Sequence, residues 1–236
     1  GSALIVGSLV GYCFTVPRGV IANVMAFGSG VLISTLAFDL MDEAYRRGGF
    51  DSTSAGFLCG AVLYTGITVW LNSRGARHRK RSGNQQPSEH ESKGSGLAIA
   101  AGSLLDGIPE SIVIGLSLLT GSAVSLVAVA AIFLSNIPEG LSSAAGMKQA
   151  GRSPGYVFGL WGAIALICGL SSWVGYAGFE GANPDVIAGI TAVAAGAILA
   201  MIADTMIPEA FEAAHEFTGM ATVLGFLLAF GLSKLA

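Results

Sequence analysis

The chain has 236 residues, of which 53% are hydrophobic and only 11% charged, and its mean hydropathy is +0.68. Soluble domains carry about twice that charged fraction, so composition excludes an ordinary soluble domain. The 34 glycines fit closely packed membrane helices, and the net charge of −3 comes with basic residues gathered in one short loop rather than on a nucleic-acid-binding face.

A bilayer-spanning helix needs roughly 20 mostly apolar residues. Runs that meet or approach this length occur at 3–16, 20–44, 53–72, 97–119, 123–147, 156–179, 185–212 and 217–235. They are too long for strands and do not alternate, so the expected fold is an all-α polytopic membrane protein with eight transmembrane helices in a single domain, 1–236. The first run lacks a basic n-region and leads straight into further apolar segments; it is read as a transmembrane helix shortened at its start, not as a signal peptide. Cys13, Cys59 and Cys168 lie separately in apolar runs with no CxxC, which argues against a disulfide framework or zinc knuckle; each is read as a small buried apolar residue.

Between the third and fourth runs lies the polar segment "SRGARHRKRSGNQQPSEHESKGSG", 73–96. It holds Arg74, Arg77, Arg79, Lys80, Arg81 and Lys93, and Arg18, Lys148 and Arg152 fall in loops on the same side of the predicted topology. Only Arg46, Arg47 and Lys234 fall on the other side, so the positive-inside rule places this loop in the cytoplasm and both termini outside.

The fourth and fifth runs raise the sharpest question. "DGIPES" and "SNIPEG" put Asp106, Glu110, Ser135, Asn136 and Glu139 inside apolar segments, each segment interrupted by a proline. Asp106 and Glu110 are four residues apart, as are Ser135 and Glu139, so each helix presents a stripe of oxygen atoms. Pro109 and Pro138 also release the carbonyls of Leu105 and Leu134, and such groups are tolerated at membrane depth where a cavity or ion satisfies them. Two kinked helices with facing carboxylates point to a cation site at the midplane. The fourth and fifth runs cross in opposite directions with the same I-P-E core. A weaker echo links "FDLMDEAY" (38–45) to "DTMIPEAF" (204–211), giving an expected 3+2+3 arrangement of inverted repeats.

Eight spans, a polar loop after the third, "SNIPEGLSSA", "MAFGSGVLISTLAFDLMDEAY" and "AMIADTMIPEAFE" together resemble the ZIP (Zrt-, Irt-like) family of divalent-metal transporters over essentially the whole chain. The resemblance implies a membrane-centre metal site formed by the two motifs and alternating access by motion of one helix group against another. Asp106 and Gly107 stand where the family usually has His-Asn, and Ser135 and Asn136 where it commonly has His or Gln followed by Asn or Asp. Cys168 falls where a carboxylate is often found. The expected ligand set, Asp106, Glu110, Ser135, Asn136 and Glu139, is therefore all oxygen, which shifts preference toward harder ions such as Mn²⁺ or Mg²⁺ relative to a His-containing site, with zinc still within reach of carboxylates.

Further acidic residues mark the ends of a path. Asp204, Glu209, Glu212, His215 and Glu216 form a candidate release path at the cytoplasmic end of the seventh run; Asp39, Asp42 and Glu43 form a candidate entrance near the outer end of the second. The expected activity is secondary transport of a divalent metal cation, zinc, manganese or another first-row metal, across the plasma membrane toward the cytoplasm. No organic cofactor or nucleic acid is expected, the lipid bilayer is the expected partner, and a homodimer is compatible with the sequence. The chain has no GxxxxGK[ST], G-x-G-D or H-E-x-x-H, so it is not expected to be an enzyme. The alternative is a non-transporting metal sensor or scaffold built on the same frame.

Overall fold

The structure, a computed structural model, describes residues 1–73, 95–120 and 124–235. All regular elements among them are helical: α1 Ser2–Cys13, α2 Arg18–Thr35, α3 Met41–Leu71, α4 Ser95–Thr120, α5 Val124–Gln149, α6 Pro154–Ala177, α7 Pro184–Met201, α8 Ile207–Ala214 and α9 Phe217–Leu235. Most of the loop expected at 73–96 lies outside the described residues.

Five stretches are long and apolar enough to cross a membrane among the described residues: Arg18–Leu71, Ala101–Leu119, Pro154–Ala177, Pro184–Ala214 and Phe217–Lys234. The first contains two expected runs. Its helical course is broken at Gly49, where φ is 67° and ψ −175°, a conformation that a side chain strongly disfavours. The helix expected at 3–16 ends earlier, at Cys13, and Phe14 after it is extended.

Local chemistry sets several ends. Pro17 precedes α2, and Pro154 and Pro184 open α6 and α7 at the first helical position, where a missing N–H costs nothing. Ser153 and Asn183 cap those two helices by accepting bonds from Tyr156 N–H (3.3 Å) and Asp185 N–H (3.0 Å). Pro109 and Pro138 lie inside α4 and α5, which continue as α-helix through both, so neither proline ends its helix. The change of helix type comes elsewhere, in π-turns at Leu36–Leu40 and Ile202–Met206 that join α2 to α3 and α7 to α8. Aligning "FDLMDEAY" with "DTMIPEAF" superposes these two turns residue for residue.

The helices sort into two packed groups. In one, α1 lies on α5 and α4 on α6; in the other, α2 lies on α9 and α3 on α7. Each of these four seams is made by glycines from both sides. A Cβ on Gly30 would collide with Thr222, and one on Gly225 with Phe27. Gly60 and Val193, Gly196 and Phe57 do the same for α3 and α7. Gly7 and Gly140 serve α1 and α5, and Gly115 and Gly175 serve α4 and α6. Within a membrane, where hydrophobic transfer does not drive helix pairing, such close backbone approach supplies the contact energy. There are two main buried clusters: one runs from Met25 and Leu32 to Met201 and Met206 and takes in Val113 of α4 and Ile132 of α5, and the other joins Leu4, Met147, Trp161 and Cys168.

Large apolar side chains point outward from both groups, among them Leu63 and Trp70 on α3, Leu170 and Trp173 on α6, and Leu224 and Leu227 on α9. The outward faces explain a correction. Cys13 and Cys59, expected to be buried, are exposed on α1 and α3, and only Cys168 is buried. Their runs are apolar all round because lipid, rather than protein, faces one side.

Candidate metal centre

All five residues expected as ligands are buried: Asp106 is 2% exposed, Glu110 1%, Ser135 2%, Asn136 7% and Glu139 4%. α4 and α5 bring the two motifs together. The Asn136 amide donates to Glu110 Oε2 at 2.7 Å and to the Ile132 carbonyl at 2.8 Å. Both its N–H donors are thus used, and its Oδ1 is the atom left to offer a lone pair. Ser135 Oγ donates to the Ile132 carbonyl at 3.0 Å, one turn back on its own helix. Behind Ser135 stands Gly28 of α2, where a Cβ would meet the Ser135 Cα at 3.0 Å. A side chain at this position would crowd the Ser135 backbone.

Two further residues join the site: Tyr64, which sequence reasoning missed, and Cys168, which the family resemblance put at a carboxylate position but not among the expected ligands. Tyr64 of α3, 1% exposed, donates its phenolic proton to Asp106 Oδ1 at 2.6 Å. Nothing in "AVLYTG" announces this, because the pairing spans 42 positions. The other is Cys168 of α6. Its sulfur lies within hydrogen-bond range of Ser111 and within electrostatic reach of Glu110 and Glu139. A Cβ on Gly107 would sit 2.8 Å from that sulfur. Gly107, which replaces the asparagine implied by the family resemblance, is what makes room for the thiol. Ser111 itself donates to the Gly107 carbonyl at 2.7 Å, which steadies the strand of α4 between Asp106 and Glu110.

The site is therefore a dry polar cluster drawn from α3, α4, α5 and α6. Three carboxyl groups in so little water require protons, donors or a cation to hold them. Among the described residues, no three His, Cys, Asp or Glu side chains converge at metal-ligand spacing. That count leaves out the Ser, Asn and backbone oxygens on which a hard-cation site also draws.

On the entrance side, Asp39 and Glu43 line a cavity of about 20 Å³ with Val113, Leu116, Ser117 and Thr191. Asp39 accepts a bond from Ser233 Oγ at 2.7 Å, which ties the first π-turn to the end of α9. Val113, 1% exposed and part of that lining, stands three residues from Glu110 on α4. Asp42 is not part of this group: it faces outward and pairs with Arg46 at 2.8 Å, while Glu43 pairs with Arg47.

The release-path residues follow the second π-turn. Asp204 lies on an exposed face of it, Glu209 is half-buried in α8, and Glu212, His215 and Glu216 are exposed. They extend over about 18 Å of helix rather than converging on one point. His215 ends α8 in a positive-φ conformation, φ 47°, with its ring edge-on to Phe211. The chain matches no family model and none of the curated proteins compared with it.

Proposed function

We propose that the protein is a ZIP-like secondary transporter that moves a divalent metal cation through the α4/α5 cluster toward the cytoplasm. The observation that carries this reading is the burial of oxygen donors from two copies of one motif, joined across α4 and α5 by Asn136 and Glu110. A cluster that served only as glue between helices would have little use for three carboxyl groups, since membrane hydrogen bonds contribute only about 1 kcal/mol each.

Eight spans in a 3+2+3 arrangement account for the packing. Exchanging the first three helices with the last three, and α4 with α5, turns the α1/α5 seam into the α6/α4 seam. The same exchange turns α2/α9 into α7/α3. The π-turns carrying Asp39 and Asp204 also change places. Two groups of helices that meet along α2/α5 and α4/α7 are a frame that alternating access could use. Cargo binding requires ionised Asp106, Glu110 and Glu139, so protons leave as the metal enters and return as it departs.

One observation favours the second reading, a metal sensor or scaffold that does not transport: Asp106 and Glu110 already accept bonds from Tyr64 and Asn136. Both readings require binding, and only the first requires flux. The test uses the purified chain in proteoliposomes with an entrapped chelating fluorophore, alongside thermal stability with added Mn²⁺ or Zn²⁺. Transport predicts both stabilisation and uptake; stabilisation without uptake selects the sensor; neither for any first-row divalent ion defeats both. In intact cells, a cysteine placed within 73–96 is expected to resist impermeant thiol reagents, and ready labelling would invert the assigned direction.

A further inference from the structure

A second cavity lies where α1 finishes, α2 begins and α5 finishes. It measures about 560 Å³. Its polar lining is Thr15, Arg18, Lys148 and Gln149, with no acidic residue, and its apolar wall includes Phe14, Ile21 and Leu141.

α1 and α5 bring the negative ends of their dipoles here, and the positive groups that offset them are Arg18, Lys148 and the start of α2. The α2 helix begins after Pro17 with no side chain capping its first turn, so its N–H groups and the positive end of its dipole face this region. Arg18 is its first residue, and its side chain is exposed. Lys148 ends α5, where a cation complements the negative helix end. Its ammonium donates to the Tyr12 carbonyl at 2.6 Å and sits 5.2 Å from the Tyr12 ring centroid, which holds it at the α1 side of the cavity. The linker 14–17 is extended at Phe14 and Pro17 and keeps the two helix ends apart, which is how the space arises. Phe14, 66% exposed, continues the apolar wall outward to the surface that meets lipid.

We propose that this cavity binds the phosphate headgroup of an anionic phospholipid, with the acyl chains leaving along the apolar wall beside Phe14. Two basic side chains and a bare helix start fit a phosphate, and an apolar exit at the helix-end level fits an amphiphile better than a free ion. The cavity also straddles the two helix groups, since Arg18 and Ile21 belong to α2 while Leu141 and Lys148 belong to α5. A lipid held there joins the groups at the end where they are otherwise parted.

The test uses the full chain purified in detergent and melted in the presence of phosphatidylglycerol, of phosphatidylcholine with the same chains, or of inorganic phosphate. Phosphatidylglycerol is expected to raise the melting temperature above the phosphatidylcholine value, and phosphate alone is not. Arg18→Gln with Lys148→Gln should erase the difference between the lipids. Ala145→Trp, which keeps both charges but narrows the cavity, should diminish it too. Should the double variant fail to fold, Arg18→Gln alone, at an exposed position, should diminish the difference. The proposal is overturned if the wild type does not distinguish the lipids, if the variants that fold keep the full difference, or if inorganic phosphate reproduces it, which would assign the cavity to a free anion.

Discussion

Two sets of carboxylates in this protein share residue types and almost nothing else. Asp42 and Glu43 sit one turn from Arg46 and Arg47 on α3, in i,i+4 pairs of the kind that any surface helix forms. Asp106 and Glu110 are buried and accept bonds from a tyrosine and an amide carried by other helices. The first set is neutralised by its own helix and can be spared. The second is held by neutral donors from other helices, Tyr64 and Asn136.

The contrast is broken most forcefully by removing charge from the buried set. Glu110→Gln and Glu139→Gln keep volume and a carbonyl oxygen; taking one partner from a buried ion pair costs about 3–5 kcal/mol, so each should weaken metal affinity by about 100-fold or more. The double variant should be little worse than either single one, because both residues serve one ion. Metal titrations of purified variants read this directly, and retained affinity in both would return the carboxylates to a structural role.

Next in size is Tyr64→Phe. It removes one donor to Asp106 while keeping the ring packed, and the loss of an orienting partner is expected to lower metal affinity about 10-fold, at the low end of such effects. If calorimetry shows unchanged affinity, Tyr64 does not position Asp106. Smaller again is a change of preference without loss of binding. Cys168→Ser replaces a soft sulfur with a hard oxygen and should move the Zn²⁺ to Mn²⁺ affinity ratio several-fold toward Mn²⁺; Asp106→His should move it the other way. Equal ratios in competition titrations would place the thiol outside the cation's reach. Asp42→Asn should do least, since an exposed pair contributes about 1 kcal/mol or less, and uptake and melting temperature should be indistinguishable from wild type.

The buried set was legible because carboxylates in apolar runs stand out by their chemistry alone, and the break at Gly49 fell in the gap expected between the second and third runs. Of the partners, Tyr64 was not legible, and Cys168 only through the family resemblance. Both look like ordinary residues of greasy helices, and only tertiary packing brings them to Asp106 and Ser111. The split of the entrance group was not readable: Asp39 is three residues from Asp42 and four from Glu43, and both spacings share a helix face. A π-turn at 36–40 was not readable, because helix type there is decided by packing rather than by composition.

The glycine seams have a consequence for the order in which the chain is assembled. As the chain is made from its N-terminus, α1 can settle on α5 and α4 on α6 once Ala177 has entered the membrane. By contrast, α2 must wait for α9, the last helix described, and α3 must wait for α7. Until then the glycine-lined faces of α2 and α3 stand open in the bilayer, so truncation before Phe217 should leave one half of the protein assembled and the other without its closing helix.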